Sequence, residues 1–342
     1  MELLEQLAFD ATRDILEKNL HIYNEEIKDK RILFMYDLDS PLSRLISAGY
    51  IAHLEKLPNA EIILFEEEKK EELKAKILEL GKYDTNILVQ TTNFRLEKFR
   101  IRMSLQQRDA AGIEHNHLWY MKDSEIENYL RSISYKTPEF QHISDNLKHT
   151  IESADTLKVV SKNWKELNIS GWFEEMMQNT GNFWLLNRYA TYPVGENFTE
   201  SKVFENVNGE LYLYAFPGMD FQVRFCEPFL VKIEKSILTC DDPSAPQEFL
   251  ELLEKITLDE WEVMVRELGF WINDEISPTK TLSDVSAYER MMWFHLSLGK
   301  KHNIYRRKIH KDILQKYHID VFPVTHQIYA DEKIIFENGK FL

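Results

Sequence analysis

The sequence predicts a two-domain α/β protein, with an N-terminal domain over 1–150 built on a mostly parallel sheet and a C-terminal α+β domain over 151–342. Three observations carry this expectation. Short apolar runs alternate with amphipathic or charged helical segments through the first 150 residues, the signature of strand–helix layering. Past that point the pattern changes to longer runs of antiparallel type. The chain has 342 residues, 44% hydrophobic and 29% charged, so it has an ordinary globular composition and length enough for two cores.

In order, residues 1–28 read as an amphipathic helix, because Leu3, Leu4, Leu7, Ala11, Ile15 and Leu16 share one face. The apolar run 31–36 is a strand that ends in the polar segment 37–40. A helix over 41–57 follows, with Pro41 at its favoured first position behind Ser40 as cap. A strand over 60–65, a helix over 67–80 and a strand over 86–90 come next, then a helix after Thr92 and a short strand over 118–121. The charge run 66–74 reads as a solvated helix face. Neither GxGxxG nor GxxxxGK[ST] stands at a strand end, so nucleotide folds of those types have no support. In the second domain a strand over 157–161 precedes an aromatic stretch. The runs 210–216 and 222–239 then read as antiparallel strands and 246–256 as a helix. No internal repeat is visible.

The net charge of -15 repels phosphate backbones, which argues against a nucleic-acid partner. Two cysteines, Cys226 and Cys240, form no CxxC pair and read as small buried hydrophobes in a reducing compartment rather than zinc ligands. The N-terminus lacks the basic start and apolar core of a signal peptide, and no run of 18 apolar residues occurs. A cytoplasmic protein with no membrane contact is the expectation.

Four segments carry candidate chemistry. In Ile309-His310-Lys311-Asp312-Ile313, a strand would project His310 and Asp312 from the same face. His295 lies within the apolar run 293–299, a costly position unless its imidazole has a partner. Glu267 opens the apolar segment 267–272, and Glu196 sits on a glycine-containing turn. Each has a bland reading, and alone the HxD pair and His295 are more often satisfied core residues than ligands. Together, three carboxylates and two imidazoles suit two divalent ions bridged by a carboxylate. Oxygen and nitrogen ligands without sulfur favour catalytic zinc, manganese, cobalt or iron over structural zinc. Trp172, Phe173, Phe183 and Trp184 precede this region and read as core, or as the lining of an apolar pocket.

In this order the segments resemble the thermophilic-aminopeptidase (aminopeptidase T) family of metallopeptidases. Gly195-Glu196-Asn-Phe-Thr199 with Asn206-Val-Asn-Gly209 is similar to that family's GEVFT turn and VNG strand start. Glu267-Leu-Gly-Phe-Trp-Ile-Asn273 resembles its ELGIGxN segment, and Glu289 through Gly299 its EKxxGTVHIALG segment. His310-Lys-Asp312 resembles its HxD strand, and 331–341 its closing pattern. Two departures stand out: bulky Trp293-Phe294 before the histidine, and a shortened loop over 300–305.

The resemblance implies a metal-dependent aminopeptidase that removes an N-terminal residue from a peptide, acting as a homodimer with enclosed active sites. It implies two ions, zinc, cobalt or manganese, held by Glu196, Glu267, His295, His310 and Asp312. The ions would bring bound water to a pKa of about 7. Glu289 matches the general base, and His302 or Tyr305 the oxyanion donor. Two alternatives stay open. A ring-cleaving dihydroxypyridine dioxygenase resembles this family in fold and holds one iron by two histidines and an aspartate, a set that His295, His310 and Asp312 also fit. The other is a specialised or non-catalytic peptide-processing protein of a biosynthetic pathway.

Overall fold

The computed structural model describes residues 2–91, 96, 99–183, 189–299 and 317–342. The chain forms a mixed α/β structure of two compact units. The first comprises Met1–Pro138, Asn179–Val194 and Pro278–Ala287, and the second Glu139–Gln178, Gly195–Ser277 and Tyr288–Leu342. The division is therefore not a single cut near 150, because later segments return to the first unit.

In the first unit a five-stranded parallel sheet runs in the order Ala60–Leu64, Ile32–Tyr36, Thr85–Val89, Ala111–His115, Tyr189–Tyr192. Thr85–Val89 is buried at every position, as expected for an inner strand covered on both faces. Leu33, Met35, Leu73, Ile77, Leu88 and Leu105 form its core. Helix Pro41–Leu54 starts where the sequence predicts: the Ser40 hydroxyl accepts from the Ser43 amide at 3.0 Å, and Pro41 occupies the first turn. In helix Lys70–Glu79 only Leu73 and Ile77 are buried, so the charge run does face solvent.

One expectation needs correction. Residues 118–120 form a 3-10 turn, not a strand, with Leu118 buried. The strand lies earlier, at Ala111–His115. There Gly112 lets the Tyr189 ring pack against the backbone, since a Cβ would come within 2.4 Å of it.

His115 is fully buried in this unit between two tyrosines. The Tyr129 hydroxyl donates to the Tyr192 carbonyl at 3.4 Å, so it accepts from His115 Nδ1 at 3.0 Å. His115 Nε2 in turn accepts from the Tyr50 hydroxyl at 2.9 Å. Burial pushes the imidazole pKa down to about 3, and the ring is neutral.

The second unit is an antiparallel sheet. From one edge its order is Lys340–Phe341, Lys333–Glu337, Gln327–Ala330, Thr156–Val160, Glu166–Ser170, Val207–Pro217, Ile319–Pro323, Trp293–Leu298, Val265–Trp271, Glu196–Thr199, Met177–Asn179. The long hairpin Val207–Pro217 and Val223–Glu234 stands on it. Helix Gln247–Glu260 packs Phe249 against Phe216 and Phe229, at centroid distances of 5.2 and 4.9 Å. Among the described residues no helix is long and apolar enough to cross a membrane.

Candidate metal centre

Three neighbouring strands of the second unit, Val265–Trp271, Trp293–Leu298 and Ile319–Pro323, place the polar residues. Their register sets Glu267 opposite Ser297 and Ser297 opposite Asp320, one row across the sheet. The next row pairs Gly269 with His295. Side chains two apart on a strand share a face, so Glu267, His295, Ser297 and Asp320 converge. These strands otherwise read as apolar runs, and burial of both faces is what encloses the polar row.

Gly269 is required by close approach. A Cβ there would lie 1.7 Å from His295 Cε1, so only glycine leaves the ring its place over the backbone. From that place His295 Nε2 stands 3.7 Å from Glu267 Oε1 and 3.7 Å from Asp320 Oδ1. The residue is 1% exposed, yet neither ring nitrogen has a hydrogen-bond partner among the described residues. Trp271 meets the ring edge-on at 4.5 Å and Phe322 lies at 6.2 Å. A buried imidazole without a partner, aimed at two carboxylates, is what a cation between them would satisfy.

His318 immediately precedes the third strand. Its Nε2 lies 3.1 Å from Asp320 Oδ1, and its Nδ1 contacts the Arg266 guanidinium. Glu267, His318 and Asp320 each offer a ligand atom within 4.8 Å of the others, a possible metal site. The Ser297 hydroxyl reaches Asp320 Oδ1 and lies 3.2 Å from Glu267 Oε1, with one proton to share between them.

The charges are strongly coupled. Burial would raise Glu267, but the contact with His295 and the charges of His318 and Arg266 hold it below the usual range. Burial likewise opposes ionisation of Asp320, but His318 and a hydrogen bond from Glu289 hold it well below. Glu289 goes the other way: burial first, then the Asp320 charge, push it well above the carboxylate range, against the pull of the Arg290 charge.

Beside this group lies a second one. The buried Arg290 places Nη1 3.0 Å from Glu196 Oε2 and 3.0 Å from Glu289 Oε1, with its guanidinium 4.1 Å over the Trp271 ring. Arg266, also buried, places Nη1 3.8 Å from Glu200 and Nη2 4.0 Å from Glu267.

Of the residues singled out in the sequence, the structure brings Glu267 and His295 together and sets Glu289 behind Asp320. It turns Glu196 towards Arg290. His302, Tyr305, His310 and Asp312 lie outside the described residues, as does Trp184. Trp172 faces solvent, whereas Phe173 and Phe183 are buried. His318 and Asp320 went unrecognised in the sequence, as did Ser297, Arg266 and Arg290. The signal for the first two was a second HxD, His318-Ile-Asp320, leading straight into the apolar Val321-Phe322.

No family model and no curated protein matches the chain. Among solved structures it is similar to the 2,5-dihydroxypyridine dioxygenase from Pseudomonas putida KT2440, with a TM-score of 0.63 and 13% identity over 97% of each chain. That likeness shows a shared fold. It corrects the expectation of an aminopeptidase: the fold neighbour is an oxygenase, not a hydrolase, and nothing matched supports the aminopeptidase T family or peptidase activity. Short motifs centred on one glutamate or histidine in a buried strand were too weak to separate two chemistries on one architecture.

Proposed function

We propose that this protein is a mononuclear iron, ring-cleaving dioxygenase acting on a hydroxylated aromatic of the dihydroxypyridine kind. The observation that carries the proposal is the buried His295 Nε2, without a hydrogen-bond partner and 3.7 Å from carboxylate oxygens of both Glu267 and Asp320. With His318 it offers the two imidazoles and one carboxylate that suit a non-haem ferrous centre. The dioxygenase among its fold neighbours agrees with this choice.

His295, His318 and Asp320 would hold the iron, with Glu267 beside them. Ferrous iron in such a set supplies open coordination positions and electron-transfer chemistry towards dioxygen. The remaining work falls to the chain. Trp271 and Phe322 cover the His295 ring and keep water from it. Ser297 against Asp320 fixes the orientation of that side chain. Glu289 and Ser297 are the groups placed to pass a proton to or from a substrate hydroxyl.

The test is anaerobic loading with ferrous iron, followed by 2,5-dihydroxypyridine and air. Retention of one iron per chain, with oxygen uptake matching loss of the aromatic absorbance, is expected. A chain that retains no iron, or that retains it and consumes no oxygen with any dihydroxylated pyridine or benzene, overturns the proposal.

A further inference from the structure

We infer that the Arg290 guanidinium is a built-in cation filling the position of a second metal, and that its removal opens a divalent-ion site formed by Glu196 and Glu289. This rests on the single-iron reading and specifies why one ion is bound rather than two.

The geometry points to it. Arg290 Nη1 lies 3.0 Å from a carboxyl oxygen of each glutamate, equidistant from the two as a shared ion would be. First-row ions hold carboxylate oxygens at about 2.0–2.2 Å, so each oxygen need close in by only about 0.9 Å. The guanidinium is buried, and neither Nε nor Nη1 makes a directed hydrogen bond. Charge and the Trp271 face hold it in place. The Trp271 ring beneath the guanidinium also meets His295 edge-on at 4.5 Å, so the position adjoins the proposed iron ligands. While a fixed positive charge stands there, a second cation is excluded both sterically and electrostatically.

The experiment counts manganese(II) bound per chain, by elemental analysis after gel filtration and by electron paramagnetic resonance. Wild type is expected to bind one equivalent. Arg290→Ala is expected to bind two, with the spectrum of a coupled pair, and Arg290→Lys, which keeps the charge, one. The double variant Arg290→Ala with Glu196→Gln should return to one. If Arg290→Ala fails to fold, Glu196→Gln alone carries the test: Glu196 is engaged by Arg290 in the wild type, so one equivalent at unchanged affinity is expected. A tenfold or greater loss of affinity in Glu196→Gln overturns the inference. One equivalent in both wild type and a folded Arg290→Ala overturns the inference and leaves the single-iron reading standing. None or two in the wild type removes that reading itself.

Discussion

Replacing Gly269 by alanine should remove His295 from the metal centre while leaving the fold intact. On the existing backbone the new methyl group would lie 1.7 Å from Cε1, 2.2 Å from Nδ1 and 2.4 Å from Nε2 of His295. Ordinary carbon contacts sit at about 3.5–4.0 Å, so the ring must retreat by roughly 2 Å. Metal–ligand distances tolerate about 0.2 Å, so the retreating nitrogen ceases to be a ligand. Altering a group that merely supports a ligand costs about 10–100-fold in metal affinity. Displacing the ligand itself belongs at or beyond the upper end, roughly 100-fold or 2.7 kcal/mol. Overpacking adds a stability cost of about 1–3 kcal/mol to the metal-free protein. The assay is competition for manganese(II) against a chromophoric chelator, with far-UV circular dichroism as the control for folding. His295→Ala should weaken binding by a similar factor, and adding Gly269→Ala to it should cost little more, because the methyl then has room. Wild-type affinity in a folded Gly269→Ala, or full additivity in the double variant, would refute the reasoning.

Other predictions test separate parts of the structure. Asp320→Asn should abolish metal binding while the metal-free protein melts within a few degrees of wild type, as measured by calorimetry with and without metal. Metal at 100 times its dissociation constant should stabilise the wild type by about 2.7 kcal/mol, and a chelator should remove that gain. Ser40→Ala should cost about 1 kcal/mol in urea unfolding, because the Ser43 amide loses its acceptor. His115 gives a pH dependence. Its folded pKa, about 3, lies below the unfolded value, so the unfolded chain takes up a proton first and stability falls as pH drops below about 6.5 towards 3. The loss from this group is about 2 kcal/mol between pH 6.5 and 5, and His115→Gln should flatten that part of the urea-stability profile.

Much of the first unit was legible because its signals are local. Apolar runs bounded by a cap or a charged helix mark Ile32–Tyr36, Pro41–Leu54, Ala60–Leu64, Lys70–Glu79 and Thr85–Val89. Ala111–His115 was not legible, because its glycine and glutamate answer to the Tyr189 ring and hydroxyl, contributed from far along the chain. The same contrast holds in the candidate centre. Glu267 and His295 stand out as polar residues inside apolar strands. His310 with Asp312 and His318 with Asp320 carry one and the same i, i+2 pattern, and periodicity cannot say which pair borders the strand Trp293–Leu298. Nor does any local pattern reveal that Glu196 faces Arg290, since a charge pair between distant strands exists only once register is known.

The most direct measurement is anomalous scattering at the iron edge from crystals of the ferrous-loaded protein. A single peak about 2.0–2.2 Å from His295 Nε2, His318 Nε2 and a carboxylate oxygen of Asp320 is the predicted result. A peak that leaves His295 without a bond to the ion, or no peak in this group of side chains, would contradict it.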